Sequence, residues 1–129
     1  MPKSSAAKSD RRSSCPVACT LDVLGDRWTL LLIRDLAAGK SRYGEFADAA
    51  EGIPTNILAD RLVRLETAGV ISSETYQENP PRYAYSLTKK GQDLLPILGA
   101  VAQWGLRHLP NVKAAPQLTA LLATVRGHR

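Results

Sequence analysis

The sequence predicts an α+β fold that is mainly helical, with one two-stranded hairpin set between helices. Three observations predict it. Apolar residues recur at the three- and four-residue spacing of buried helix faces through most of the chain. The stretch Val70–Leu87 reads instead as two short strands, split by Glu78, Asn79, Pro80 and Pro81. Glycines stand where the helical patterns stop, at Gly25, Gly39 and Gly69.

Each element has its own signal. Pro16, just after Ser14 and Cys15, sits where proline starts a helix and predicts one over Pro16–Leu24. Asp26 can cap the next helix, in which Trp28, Leu31, Leu32 and Leu36 keep the spacing of a buried face. A short helix fits Tyr43–Ala50, burying Tyr43, Phe46 and Ala50. Gly52, Pro54 and Thr55 open a further helix with Leu58, Leu62 and Leu65 in one stripe, ended by Gly69. The strands are placed at about Val70–Gln77 and Arg82–Leu87. Thr88 caps a long helix to about Leu109, which Pro96 should kink. Pro110–Pro116 reads as a linker, and Gln117–Val125 as a last short helix with Leu118, Leu121, Leu122 and Val125 on one face.

Two short helices and a tight turn ahead of a hairpin describe a winged helix-turn-helix with a two-stranded wing. In that motif one helix enters the major groove of duplex DNA, and the wing reaches the flanking backbone or the minor groove. The 129 residues suit one domain with a modest core. The longest purely apolar run, Leu30–Ile33, is far too short to cross a membrane. The basic, Ser-rich start has no apolar stretch behind it, so it predicts a disordered tail rather than a secretory leader, and a cytoplasmic location. The predicted organisation is a basic tail at 1–14, a winged domain with N-terminal and long C-terminal dimerisation helices at 15–110, and a linker with a short helix at 111–129.

Net charge is +5. The excess sits in the ends: 1–14 and 111–129 each carry +3, whereas 15–110 holds ten Lys/Arg against eleven Asp/Glu. Bulk charge is therefore a weak argument for nucleic acid, and the case rests on where single cations sit.

Three stretches, "CPVACTLDVLGDRWTLLLIRDL", "PTNILADRLVRLETAGVI" and "NPPRYAYSLTKKGQDLLPIL", together resemble the HxlR-type winged-helix transcription regulators, relatives of the MarR group. The resemblance covers Cys15 to about Leu109. It implies a homodimeric, DNA-binding regulator, and some members sense signals through the cysteine at the position of Cys15. Departures from the family are Pro54, where a serine is usual, and an outer helix face less basic than usual.

The residues themselves nominate the contacts. With about 100° per residue, the face opposite Ile57, Leu58, Leu62 and Leu65 carries Asn56, Asp60, Val63 and Thr67, flanked by Ala59 and Arg64. Base edges meet the first turns of such a helix, so Thr55, Asn56, Ala59 and Asp60 are the candidate readers. Asn suits adenine, and Asp can accept from cytosine N4. Asp60 can instead pair with Arg64 one turn on. Arg61 and Arg64 suit phosphates, as do Arg42, Arg82 on the wing, and Lys89. For Lys89 and Lys90, plain surface charge is the alternative.

A wide apolar stripe, Leu94, Leu95, Leu98, Val101, Ala102, Leu106 and Leu109, exceeds what one small core needs and predicts a partner surface. Val17, Leu21 and Leu122 could extend it. A second copy is the expected partner, since two-fold symmetry matches a palindromic operator. Cys15 at a helix start gains thiolate character and is the candidate redox or electrophile sensor, with Cys19 one turn later. The alternative makes both small buried fillers. No cofactor or metal set is expected, and no Gly-rich phosphate loop, nucleophile elbow or catalytic grouping points to an enzyme. A winged helix used for protein–protein contact, or a regulator answering a non-covalent small ligand, remains the alternative; Asp60 and Val63 lean toward the former.

Overall fold

The computed structural model describes residues 13–114 together with 116, 118 and 119. Within residues 13–114 the elements are, in order, α1 (Pro16–Leu24), α2 (Thr29–Ala37), α3 (Tyr43–Ala47), α4 (Thr55–Thr67), β1 (Ile71–Glu78), β2 (Pro81–Leu87), α5 (Lys89–Gln92) and α6 (Leu95–His108). They build a winged helix-turn-helix whose wing is an antiparallel pair running from Ile71↔Leu87 to Glu78↔Pro81. Arg42 adds an isolated bridge to Ala84, and Tyr85 N–H donates to Ser41 O at 2.7 Å, so the wing is sewn to the start of α3.

The core collects one face from each helix of the motif. Leu32, Ile33, Leu36, Phe46, Leu58, Leu62, Leu65, Val70 and Ile71 are buried together. Phe46 also meets the Tyr85 ring edge-on at 6.3 Å, which fixes the wing to the helices. Asp26 caps α2 as expected: its Oδ1 accepts from the N–H of Trp28 at 2.7 Å and Thr29 at 2.9 Å, and its Oδ2 accepts the Thr29 hydroxyl at 2.6 Å. Behind the turn, Arg34 grips Glu51 through two 2.9 Å bonds and reaches the buried Asp35 as well.

The Leu-Thr-x-x-Gly segment after the wing has a geometric reason. Thr88 Oγ1 donates to Gly69 O at 2.5 Å, with Val70 O 3.1 Å away, and accepts from Gly91 N–H at 3.1 Å. Gly91 lies against Val70 O so closely that a Cβ there would collide with it. Gly69 closes α4 at φ +78°, a conformation that favours glycine.

Four expectations are corrected. The short helix ends at Ala47, and of Tyr43, Phe46 and Ala50 Phe46 alone is buried, because the chain turns at once toward Gly52 at φ +70°. The long helix is broken rather than kinked: α5 stops at Gln92 and α6 restarts at Leu95 with Pro96 in its first turn. Proline has no N–H to give the carbonyl four residues back, which is that of Gln92. Leu98, assigned from its spacing to a partner surface, is 6% exposed within its own chain. Leu94 is half-buried against the same core. The basic tail falls largely outside the described residues, as do Leu121, Leu122 and Val125 of the last short helix.

Candidate nucleic-acid interface

The inner face of α4 is Leu58, Leu62 and Leu65, each at most 2% exposed. That leaves Thr55, Asn56, Ala59, Asp60, Val63, Arg64 and Thr67 all exposed on the other side. The helix begins directly after Pro54, whose fixed φ of −62° sets the entry angle. Tyr43 Oη donates to Thr55 O at 3.0 Å and ties the first turn of α4 to α3.

Cations surround this face unevenly. Arg64 is exposed and lies 3.7 Å from Asp60 Oδ2, the expected one-turn pair. Arg61 points inward instead. Its Nη1 donates to Asp60 Oδ2, and its Nε lies 3.3 Å from Asp26 Oδ1, misaligned for a hydrogen bond. The pairing makes Arg61 a strap between α4 and the cap of α2, with only 19% of its side chain exposed. Hydrogen bonds from Thr29 and from the backbone of Trp28 and Thr29, together with Arg61, hold the Asp26 carboxyl below its usual range against the cost of burial. A cleft of about 90 Å³ opens beside the strap, lined among others by Asp22, Asp26, Arg61 and Arg64.

The wing has its own construction. The pairing slips between Thr75 and Gln77, which bulges out Tyr76. The Arg42 guanidinium lies over the Tyr76 ring at 4.2 Å. Glu45, bonded by the N–H groups of Ser41 and Arg42, closes a box at the start of α3 and is held below its usual carboxylate range by those bonds. At the tip, Gln77 Nε2 donates to Pro80 O at 3.1 Å, and the adjoining Arg82 is exposed. Lys89 is exposed at the start of α5. Lys90 has a separate job that spacing did not signal: its Nζ donates to Ala68 O at 2.7 Å and caps the C-terminal end of α4.

Away from this face, α1 and α6 leave apolar side chains uncovered: Val17 at 67%, Leu21 at 52%, Val101 at 52% and Trp104 at 58% exposure. Cys15 is exposed at the start of α1, and its thiol is lowered by the N–H groups of Ala18 and Val17. Exposure removes the buried-filler reading for Cys15. Cys19 is half-buried and its thiol donates to Ser13 O at 3.2 Å. Among the described residues no group of three His, Cys, Asp or Glu side chains could hold a metal ion, and no helix is long and apolar enough to cross a membrane.

Comparison with known proteins agrees with this geometry. The chain is 41% identical over 91 residues to the HTH-type transcriptional regulator sll1512 of Synechocystis, covering 70% of this chain and 67% of that protein. It is 38% identical to the regulator YdeP of Bacillus subtilis, over 81% of each. Among solved structures it is similar to the redox regulator HypR in its reduced form, with a TM-score of 0.69, 35% identity, and coverage of 74% of this chain and 95% of that one. The reduced form of YodB from B. subtilis gives a TM-score of 0.62 at 27% identity, covering 78% of this chain and 100% of that one. The model of the HxlR-like helix-turn-helix family matches residues 23–113. This chain is therefore a helix-turn-helix transcriptional regulator, not an enzyme, and belongs to the HxlR-like family.

Proposed function

We propose that the chain works as a homodimer that binds a palindromic operator and releases or re-grips it when Cys15 reacts with an oxidant or electrophile. The observation that carries this reading is the pair of uncovered faces: a polar one on α4 and an apolar one on α1 and α6, with Cys15 at the head of the latter. Duplex DNA takes the first, with Thr55, Asn56 and Ala59 toward base edges and Arg42, Arg64, Arg82 and Lys89 toward phosphates. A second copy takes the other, covering Val17, Leu21, Val101 and Trp104. The dimer sets the separation of two reading helices to half-sites about 34–36 Å apart.

Signal transfer then has a short route. A group added to the Cys15 thiolate disturbs the α1 seam. The end of α1 is followed at once by Asp26, and Asp26 pairs with Arg61 on α4. A small rigid-body change at the seam alters the spacing of the reading helices without unfolding either domain. The relatedness to HypR, a redox regulator, supports this route. The cleft beside Arg61 favours one second reading, in which a small non-covalent ligand enters there and acts on the same strap.

Operator binding before and after diamide or methylglyoxal tests the switch. Cys15→Ser should bind DNA normally and lose the response, whereas Cys19→Ser should keep it. Equal responses of wild type and Cys15→Ser would move the signal to another entry point.

A further inference from the structure

We propose that Asn56, Ala59 and Val63 form a single reading row for an A·T-containing half-site, in which Asn56 takes adenine and Ala59 and Val63 take thymine methyl groups, while Asp60 positions the helix and reads no base. The proposal rests on α4 being the DNA-reading helix and names what it reads.

Three observations carry it. Asn56, Ala59 and Val63 are spaced i, i+3, i+7, which puts them in one column along the outer face of the helix. Val63 is 65% exposed, among the most exposed large apolar side chains of the described residues. A single exposed valine on an ordinary surface needs no explanation. Here it lies in line with an amide on the face turned away from the core, and the only apolar group a base presents in the major groove is the thymine C5-methyl. From Asn56 to Val63 the helix rises about 10 Å, roughly three base-pair steps of about 3.4 Å. Three consecutive contacts therefore fit one groove segment. Asn matches the N6–H and N7 of adenine with its two ends.

Asp60 is the third observation. Its carboxylate lies between two guanidiniums, bonded by Arg61 Nη1 and 3.7 Å from Arg64 Nη1. Arg61 in turn is held by Asp26. The acid thus completes a chain, Asp26–Arg61–Asp60–Arg64, that fixes α4 against the cap of α2. Arg61 and Arg64 both meet the same oxygen, Oδ2, so the carboxylate is turned toward the cations of its own helix.

The test uses duplexes selected by the wild-type protein from random sequence and resynthesised with deoxyuridine in place of thymidine, one position at a time. The substitution removes only the methyl. Affinity should fall about fourfold at one or two positions in each half-site, the loss of a buried methyl. Val63→Ser should fold as wild type, checked by melting, and lose sensitivity at one of those positions. Asp60→Asn weakens the brace without touching a base, so it should keep the selected sequence while affinity for every duplex changes by a similar few-fold factor. Uridine substitution without effect at every position, in duplexes still bound in preference to scrambled ones, overturns the methyl reading and leaves α4 as the reading helix. Loss of preference at one C·G pair in Asp60→Asn overturns the assignment of Asp60. A wild-type protein with no preference for selected over scrambled duplex overturns the row together with the DNA reading beneath it.

Discussion

The reading face of α4 and the outer face of α1 and α6 are both open to solvent, but they are open in different ways. Behind the first stands a packed wall of Leu58, Leu62 and Leu65 and a chain of four paired charges. Its exposed groups are mostly polar. Behind the second, Leu24 is the buried residue of α1, and Leu98 and Gly99 are those of α6, while valines, a leucine and a tryptophan stand outside. A polar partner needs a rigid surface that stays soluble when the partner leaves. An apolar surface of this kind is stable only when covered, so it suits a permanent partner. The difference is what supports the proposal of DNA on one face and a second copy on the other.

The contrast breaks most visibly at Val101. A charge there, Val101→Glu, should be buried unpaired in the dimer and cost roughly 3–5 kcal/mol of association, giving monomers by sedimentation at micromolar concentration. Since Val101 is half-exposed in the single chain, the fold should survive. A mutant that remains dimeric would place the seam elsewhere. Leu98 is a poor probe of the same idea, because it is already buried at home and a charge there should destabilise the fold itself.

Arg82→Ala sharpens the other side. It should weaken binding to all duplexes about equally and lower the salt slope by about one unit. An unchanged slope would remove the wing from the DNA. The smallest expected effect concerns the brace behind the reading helix. Arg34 holds the Glu51 carboxyl below its ordinary value of 4.5. A carboxylate lowered by folding stabilises the protein above its unfolded pKa, and that contribution is lost as pH falls through the folded one. Stability should therefore be flat from neutral pH to about 4.5 and decline below it. Glu51→Gln should lower stability near pH 7 by a few tenths to about 1 kcal/mol and flatten the acid limb in urea melts. An acid limb that is the same in both proteins would show that other carboxylates govern it.

Much of this was legible in the sequence. Helical periodicity located the inner and outer faces of α4, because a stripe of three leucines fixes the rotation of a helix within one turn. Turn chemistry located the wing. What escaped were contacts between residues far apart in the chain. Arg61 falls between Ile57 and Leu65 on the inner side of α4, so the phosphate role expected for it ran against the periodicity; its partner there, Asp26, lies 35 positions earlier and has no local signal. Lys90 could be read as plain surface charge; its contact with Ala68 O, at the end of another helix, lies outside any local pattern. The slip that presents Tyr76 to Arg42 has no signature in alternation, since one unpaired residue only shifts the phase. Pro96 announced a disturbance, but a kink and a break differ only in whether the next turn finds support, and here α6 packs on α2 in its own direction.

The central claim is that α4 reads bases. The direct measurement is anisotropy of a selected duplex and its scrambled counterpart, for wild type and Asn56→Ala, across a salt series. Wild type should prefer the selected duplex by about a thousandfold or more. Asn56→Ala should lose about 1–3 kcal/mol of discrimination at one A·T pair while keeping the same salt slope. Equal affinity of wild type for both duplexes, or an Asn56→Ala protein with unaltered discrimination at every position, would contradict the account.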